Sequence, residues 1–202
     1  MSRYAATTAV LGLLAIGVAV AGCGASASSS ATGEFGASGS RVSGPFAWLS
    51  AGPAPATWAR GAVFAGRRLA VPPGWSPLLG DPGSVSVQRL GRHGQLVGYL
   101  NATPRQGAET LADWPGFRVS HNAGEGDREV RVIAARTGVR VGGARASCVA
   151  DVYRTRVSAY HEIACLIARP RVTAVLVGAA PPESWVSERP VIERAIAGFA
   201  AS

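Results

Sequence analysis

The sequence predicts an α+β fold, an antiparallel β-sheet flanked by helices, and three observations carry that expectation. Short apolar segments rich in Val, Ile and Ala recur along residues 61–202, separated by turns containing Gly and Pro. Two further segments read as helices, the second with its apolar residues at helical spacing. Their order is strands, helix, several strands, helix, and short turns make antiparallel neighbours the economical topology.

Taken in order, Ala62 to Val71 reads as a strand ended by the proline turn Pro72-Pro73-Gly74-Trp75. Ser84 to Leu90 and Gln95 to Asn101 read as short strands joined through Gly91-Arg92-His93-Gly94. The first helix is expected within Pro104 to Phe117, centred on Glu109, Leu111, Ala112 and Trp114 and broken by Pro115-Gly116. Glu129 to Ala135 alternates as a strand. Thr137-Gly138 is expected to turn the chain into Val139-Arg140-Val141, and Gly142-Gly143 to lead it into Ala146 to Val152. Ala159 to Ala168 and Val172 to Val177 complete the strands. The last helix is expected from Pro182 or Glu183 to Phe199, with Val191, Ile192, Ala195, Ile196 and Phe199 on one face. Pro190 either breaks that helix or opens its main part.

Ahead of the domain, Arg3 precedes an apolar run from Ala5 to Ala21, which is the arrangement of an export signal over residues 1–22. The run ends in Val20-Ala21-Gly22-Cys23, which resembles a bacterial lipobox. The resemblance implies that Cys23 becomes the mature N-terminus, carries lipid, and anchors the chain to the cell membrane facing outside the cytoplasm. Residues 23–44 are mostly Gly, Ala and Ser of low complexity, expected to be a flexible tether. Residues 45–60 mix Pro with Phe46, Trp48 and Trp58, and such an arm is expected to lie against a single α+β domain at 61–202.

The chain carries a formal net charge of +8 on 202 residues, and all twenty of its basic residues are Arg. A basic surface favours anionic lipid, phosphate-bearing polymer or acidic partners. Along the sequence, however, the arginines are scattered and form no single stripe. No nucleic-acid-binding motif accompanies them, so nucleic acid is excluded as a partner.

Once Cys23 is assigned to lipid, Cys148 and Cys165 remain, a disulfide candidate in an exported domain. If Arg156-Val157 is a two-residue turn, Thr155 faces Ser158, Tyr153 faces Tyr160, Asp151 faces Glu162, and Cys148 faces Cys165. Arg156-Val157 is poor turn chemistry, so a longer loop with the same centre is an equal reading. Two buried free thiols are the alternative to the bond.

Catalytic signals are sparse. The sequence holds no G-x-S-x-G elbow, no H-E-x-x-H and no glycine-rich phosphate loop. Neither a metal site nor a cofactor is expected, because no ligand set has recognisable spacing. His93 reads as a turn residue, and His161 as a structural imidazole projecting on the Cys165 side. His121, with Glu125 and Asp127 nearby, is the one candidate general base. Tyr99 and Asn101, at the end of a strand, together with Trp114 and His121, are candidate cleft- or ligand-facing residues. Side chains that merely close the sheet are the plainer reading of the Tyr99–Asn101 segment. Glu109 and Asp113 read as a solvated helix face.

Leu69-Ala70-Val71-Pro72-Pro73-Gly74-Trp75 is similar to the opening of Mog1/PsbP-like domains, and the closing strand Val172–Val177 with helix 183–199 agrees with it. Over about residues 60–200 the chain resembles actinobacterial lipoproteins with such a domain. The resemblance implies an antiparallel sheet between helices in a superfamily of diverse roles, including photosystem assembly, Ran binding and envelope lipoproteins. Fold alone transfers none of these roles. The functional expectation is therefore a non-enzymatic binding or scaffolding module at the membrane. The alternatives are a carrier of a small apolar ligand or lipid, and a metal-independent hydrolase using His121 and nearby carboxylates.

Overall fold

Period-two alternation runs through the long strands of the computed structural model, which describes residues 46, 54–62, 67–105, 107–170 and 172–199. The signal segment, Cys23, the 23–44 tether and Trp48 lie outside the described residues. The elements are β1 (Ala59–Ala62), β2 (Arg68–Val71), β3 (Ser76–Leu78), β4 (Val85–Leu90), β5 (Leu96–Pro104) and α1 (Trp114–Gly124). They continue as β6 (Arg128–Val141), β7 (Ala144–Arg154), β8 (Ala159–Arg169), β9 (Val172–Ala180) and α2 (Pro182–Phe199). Seven strands form one antiparallel sheet in the order β3-β4-β5-β9-β8-β7-β6, while β1 and β2 pair separately. The predicted α+β architecture is the one observed.

The long strands β5, β7, β8 and β9 send alternate side chains to two different cores. Leu100, Cys148, Ile163, Cys165 and Leu176 share one face with Leu69 of β2 and with Ile192, Ala195, Ile196 and Phe199 of α2. Val149, Ala164, Leu166, Val175 and Val177 point the other way, toward Trp114 at the start of α1. Helix α2 sits close to the sheet at Gly178, where a β-carbon would collide with Ile192. Its first turn is tied to β5 by Ser184 Oγ, which donates to the Val97 carbonyl at 2.7 Å. Phe46 and Ala54 are buried and Trp58 is half-buried, with Phe46 and Trp58 in the α2-side core.

Three sequence expectations are corrected. The first helix is Trp114–Gly124, not a segment within Pro104–Phe117. Pro115 opens it rather than ending it, because a proline in the first turn forfeits an N–H that has no helical partner anyway. Thr110 and Asp113 fold the preceding turn, the Thr110 amide donating to Asp113 Oδ1 at 2.6 Å. Thr137-Gly138 is not a turn: β6 continues through it with a register shift, and Gly138 takes φ 68° there. Pro190 neither breaks α2 nor opens it, but lies inside it. The carbonyl it leaves without a donor belongs to Val186, which is 86% exposed on the solvent side.

The β7–β8 hairpin has the register read from the sequence: Tyr153 opposite Tyr160, Asp151 opposite Glu162, and Cys148 opposite Cys165. Cys148 and Cys165 are joined as a disulfide with their Cα atoms 4.1 Å apart. Arg156-Val157 works as the turn because Thr155 Oγ1 accepts from the amides of Val157 at 3.2 Å and Ser158 at 3.1 Å.

Candidate functional site

Helix α1 packs over the β6–β7 side of its sheet face, and the β4–β5–β9 side is left open. The result is a cleft of about 440 Å³ floored by Tyr99, Asn101 and Thr103 of β5 with Val175 and Val177 of β9. Trp114, Phe117, Arg118 and His121 of α1 form one wall; Asp81 and Ser84 lie across from it, and Glu109 and Tyr153 complete the lining with Glu162. All four residues singled out from the sequence (Tyr99, Asn101, Trp114 and His121) border this cleft. Alternation sends Leu100 and Ala102 of the same strand into the opposite core.

The four play different parts. Trp114 is 1% exposed, and its indole N–H donates to the Ala164 carbonyl at 3.0 Å, so it supports the wall instead of presenting a face. Asn101 Nδ2 donates to Ser86 Oγ at 2.8 Å, across the β4–β5 register. Burial raises the pKa of Tyr99, with a hydrogen bond to Ser86 opposing, so its phenol stays protonated and able to donate. His121 lies on the exposed last turn of α1, its ring stacked on Phe117 with centroids 6.0 Å apart. Phe117 stacks in turn on Trp114 at 5.8 Å. Glu109, read from the sequence as solvated, is 4% exposed and lines the cleft. His161 projects to the α2 side, as read, and stacks on Trp185 at 5.3 Å. Burial and then Arg131 lower its pKa, which favours the neutral ring.

The sequence reading missed the charged group beneath the cleft. Arg118 binds Glu162 through two parallel contacts, Nε to Oε1 at 2.6 Å and Nη2 to Oε2 at 2.8 Å. Burial opposes the Arg118 charge, but attraction and hydrogen bonding from Glu162 outweigh it, so the guanidinium holds its proton above its ordinary range. Beside them Asp151, directly opposite Glu162, is 1% exposed, and neither of its oxygens has a hydrogen-bond partner among the described residues. Burial first, and then the Glu162 charge, push its carboxyl up to about 8, with Arg118 opposing and Asp127 adding a little. The signal for Arg118 was there: with Pro115 opening the helix, Trp114, Phe117, Arg118 and His121 share one helical face.

The raised Asp151 has a measurable consequence. The folded state keeps a proton that the unfolded chain releases near its ordinary value of 3.8. Stability is then highest below about pH 4 as far as this group is concerned, and falls by up to about 1.4 kcal/mol per pH unit until about pH 8. Asp151→Asn is expected to flatten that slope and to raise the thermal midpoint above pH 8. Parallel pH profiles for both chains would refute the assignment.

Among the described residues, no group of three His, Cys, Asp or Glu side chains is placed to hold a metal ion. No helix among them is long and apolar enough to cross a membrane.

No known family matches the sequence, and no curated protein does. Solved structures match the fold at low identity. The cyanobacterial PsbP (CyanoP) from Synechocystis sp. PCC 6803 is 15% identical, with 72% of this chain covering 95% of that one at a TM-score of 0.50. The Ran-binding protein Mog1p of Saccharomyces cerevisiae is 12% identical over 71% of this chain and 87% of its own, with a TM-score of 0.47. LpqN, involved in cell envelope biogenesis of Mycobacterium tuberculosis, is 15% identical over 63% and 78%, with a TM-score of 0.36. The architecture, a large antiparallel sheet flanked by two helices, is thus similar to that of the cyanobacterial PsbP.

Proposed function

We propose that this chain is an envelope lipoprotein, anchored through lipid on Cys23, whose domain is a non-enzymatic binding module that works through the cleft between α1 and β5. The observation that carries the reading is the lining. Hydrogen-bonding groups (Tyr99, Asn101, Thr103) stand on a rigid sheet beside an exposed aromatic, Phe117, in an open cleft. Convergent polar groups among apolar ones are the usual composition of a binding pocket. Glu162 and Arg118 are committed to each other, and among the described residues His121 is stacked on Phe117 with no hydrogen bond from a carboxylate to fix its ring as a general base needs. An open cleft with mixed lining suits a polar or amphiphilic ligand, or a segment of a partner protein, better than it suits an enclosed apolar cargo.

The test compares the lipidated wild-type chain with Phe117→Ala/Asn101→Ala as bait in gently solubilised native envelope, with mass spectrometry of proteins, lipids and metabolites. A species retained by the wild type and reduced at least about tenfold by the double variant is expected, since truncating an anchor at a binding centre costs that much. Retention that ignores the cleft variant would reject the site. A retained lipid without protein would make the module a carrier. Radiolabelled palmitate incorporation, lost in Cys23→Ser, checks the anchor separately.

A further inference from the structure

The arginines that the sequence scatters are gathered by the fold. At the end of the sheet formed by the β6–β7 hairpin and the β8–β9 turn, Arg140, Arg145 and Arg169 surround a cavity of about 380 Å³. No acidic residue is among its lining residues. Arg140 and Arg145 are direct register partners on β6 and β7, a placement of like charges that works against the sheet. Arg67 stands beside Arg169 in an adjoining narrow groove, and burial followed by that neighbouring charge weakens Arg169's hold on its proton.

The guanidinium groups are also held in place. Arg140 Nη1 donates to the Gly143 carbonyl at 2.9 Å, and Arg169 Nη2 to the Gly142 carbonyl at 3.0 Å. These glycines take φ 83° and 50°, and that turn aims both carbonyls where the arginines meet them. A guanidinium has five N–H donors in a planar fork, so one bond to a carbonyl leaves others for an oxyanion. Like charges crowded and pre-positioned in this way are relieved by an anion.

Residue 54, which opens the described stretch ahead of β1, lies at this end of the domain. Ala54 is buried against Gly198, where an added β-carbon would lie 2.9 Å from its own. The next residue, Phe199, lines the groove with Arg67 and Arg169.

We propose that Arg140, Arg145 and Arg169 form an oxyanion site for the phosphate groups of anionic lipid, seating the domain arginine-end-down on the membrane that holds its N-terminus. The membrane side of this rests on the anchoring reading above and is independent of the cleft. In that posture the β7–β8 turn, at the other end of β7, points away from the lipid.

The test is arginine modification by phenylglyoxal on the full chain, reconstituted in vesicles of phosphatidylcholine alone or with phosphatidylglycerol, recovered by flotation and read by peptide mass spectrometry. Arg140, Arg145 and Arg169 are expected to be protected several-fold on the anionic vesicles at low salt, and to lose that protection at high salt. Arg92 and Arg156, in turns at the opposite end, are expected to label equally on both. Equal labelling of the three arginines on both vesicles would overturn the proposal. So would equal protection by inorganic phosphate on neutral vesicles, which would make the site one for soluble phosphate. Failure to float with neutral vesicles would count against the anchor alone, because on the anionic vesicles the three arginines are still read against Arg92 and Arg156. The wild-type chain serves throughout, so misfolding of a variant does not enter.

Discussion

Replacing Arg118 with methionine is expected to destabilise the domain by about 3–5 kcal/mol near pH 8, the usual cost of leaving one half of a buried ion pair without the other. The geometry puts this pair at the costly end. The Glu162 side chain is fully buried and that of Arg118 is 12% exposed, with both oxygens engaged. Removing the cation leaves two facing carboxyls, Asp151 and Glu162, with no positive group between them. The loss must therefore depend on pH. Arg118 opposes the raised Asp151 carboxyl, so without it the folded state holds the Asp151 proton to still higher pH, and the deficit grows as pH rises through about 8 and is smaller at pH 5. Denaturant titrations at pH 5 and pH 8 are the check. Arg118→Met/Glu162→Met is expected to recover at least half of the loss, because an apolar pair needs no desolvation compensation. A single variant within about 1 kcal/mol of wild type at pH 8 would mean that the pair is effectively solvated.

The same cluster shows where sequence reading stopped. The β7–β8 hairpin was legible because one local turn fixes the register of everything along it, from Thr155–Ser158 to Cys148–Cys165. Glu162 and Tyr153 lie on the two strands of that hairpin, but Arg118 reaches them only because α1 packs over the β6–β7 side of the sheet. No pattern within one segment announces such a meeting. The misplaced first helix has a more local cause. Pro115 was taken as a stop, and the Thr110–Asp113 turn ahead of it, which makes it a start, lay inside the supposed helix. Gly138 misled in a similar way: a positive φ makes either a turn or a bulge, and the choice depends on whether the partner strand continues, as β7 does. Tyr99, Asn101, Trp114 and His121 border the cleft, yet their roles diverge through burial and partners that composition does not carry. The arginine end is the plainest case. Residue 169 is distant in sequence from 140 and 145, which flank one tight turn, and it joins them only through the β7–β8 pairing that sets Arg145 opposite Ala168.

Removing the Cys148–Cys165 bond is expected to cost about 3 kcal/mol through the unfolded chain, whose freedom rises when a loop of 17 residues is no longer closed. Reduction and mutation should not give the same value. Both sulfurs are fully buried in the core between the sheet and α2. The reduced wild type keeps their volume, so it loses mainly the loop constraint. Cys148→Ala/Cys165→Ala loses that constraint and also empties two sulfur positions in a close-packed interior, adding about 1 kcal/mol or more. Denaturant midpoints of oxidised wild type, reduced wild type and the double variant should fall in that order, with reduction adding two hydrogens to the intact mass. If the reduced chain matched the oxidised one, the hairpin would already be held in register in the unfolded ensemble by Thr155 and its turn, and the bond would add nothing. If the double variant matched the reduced wild type, the α2-side core would have closed over the missing sulfurs, and the flexibility would have to come from α2, whose seat on Gly178 leaves it little room to move inward.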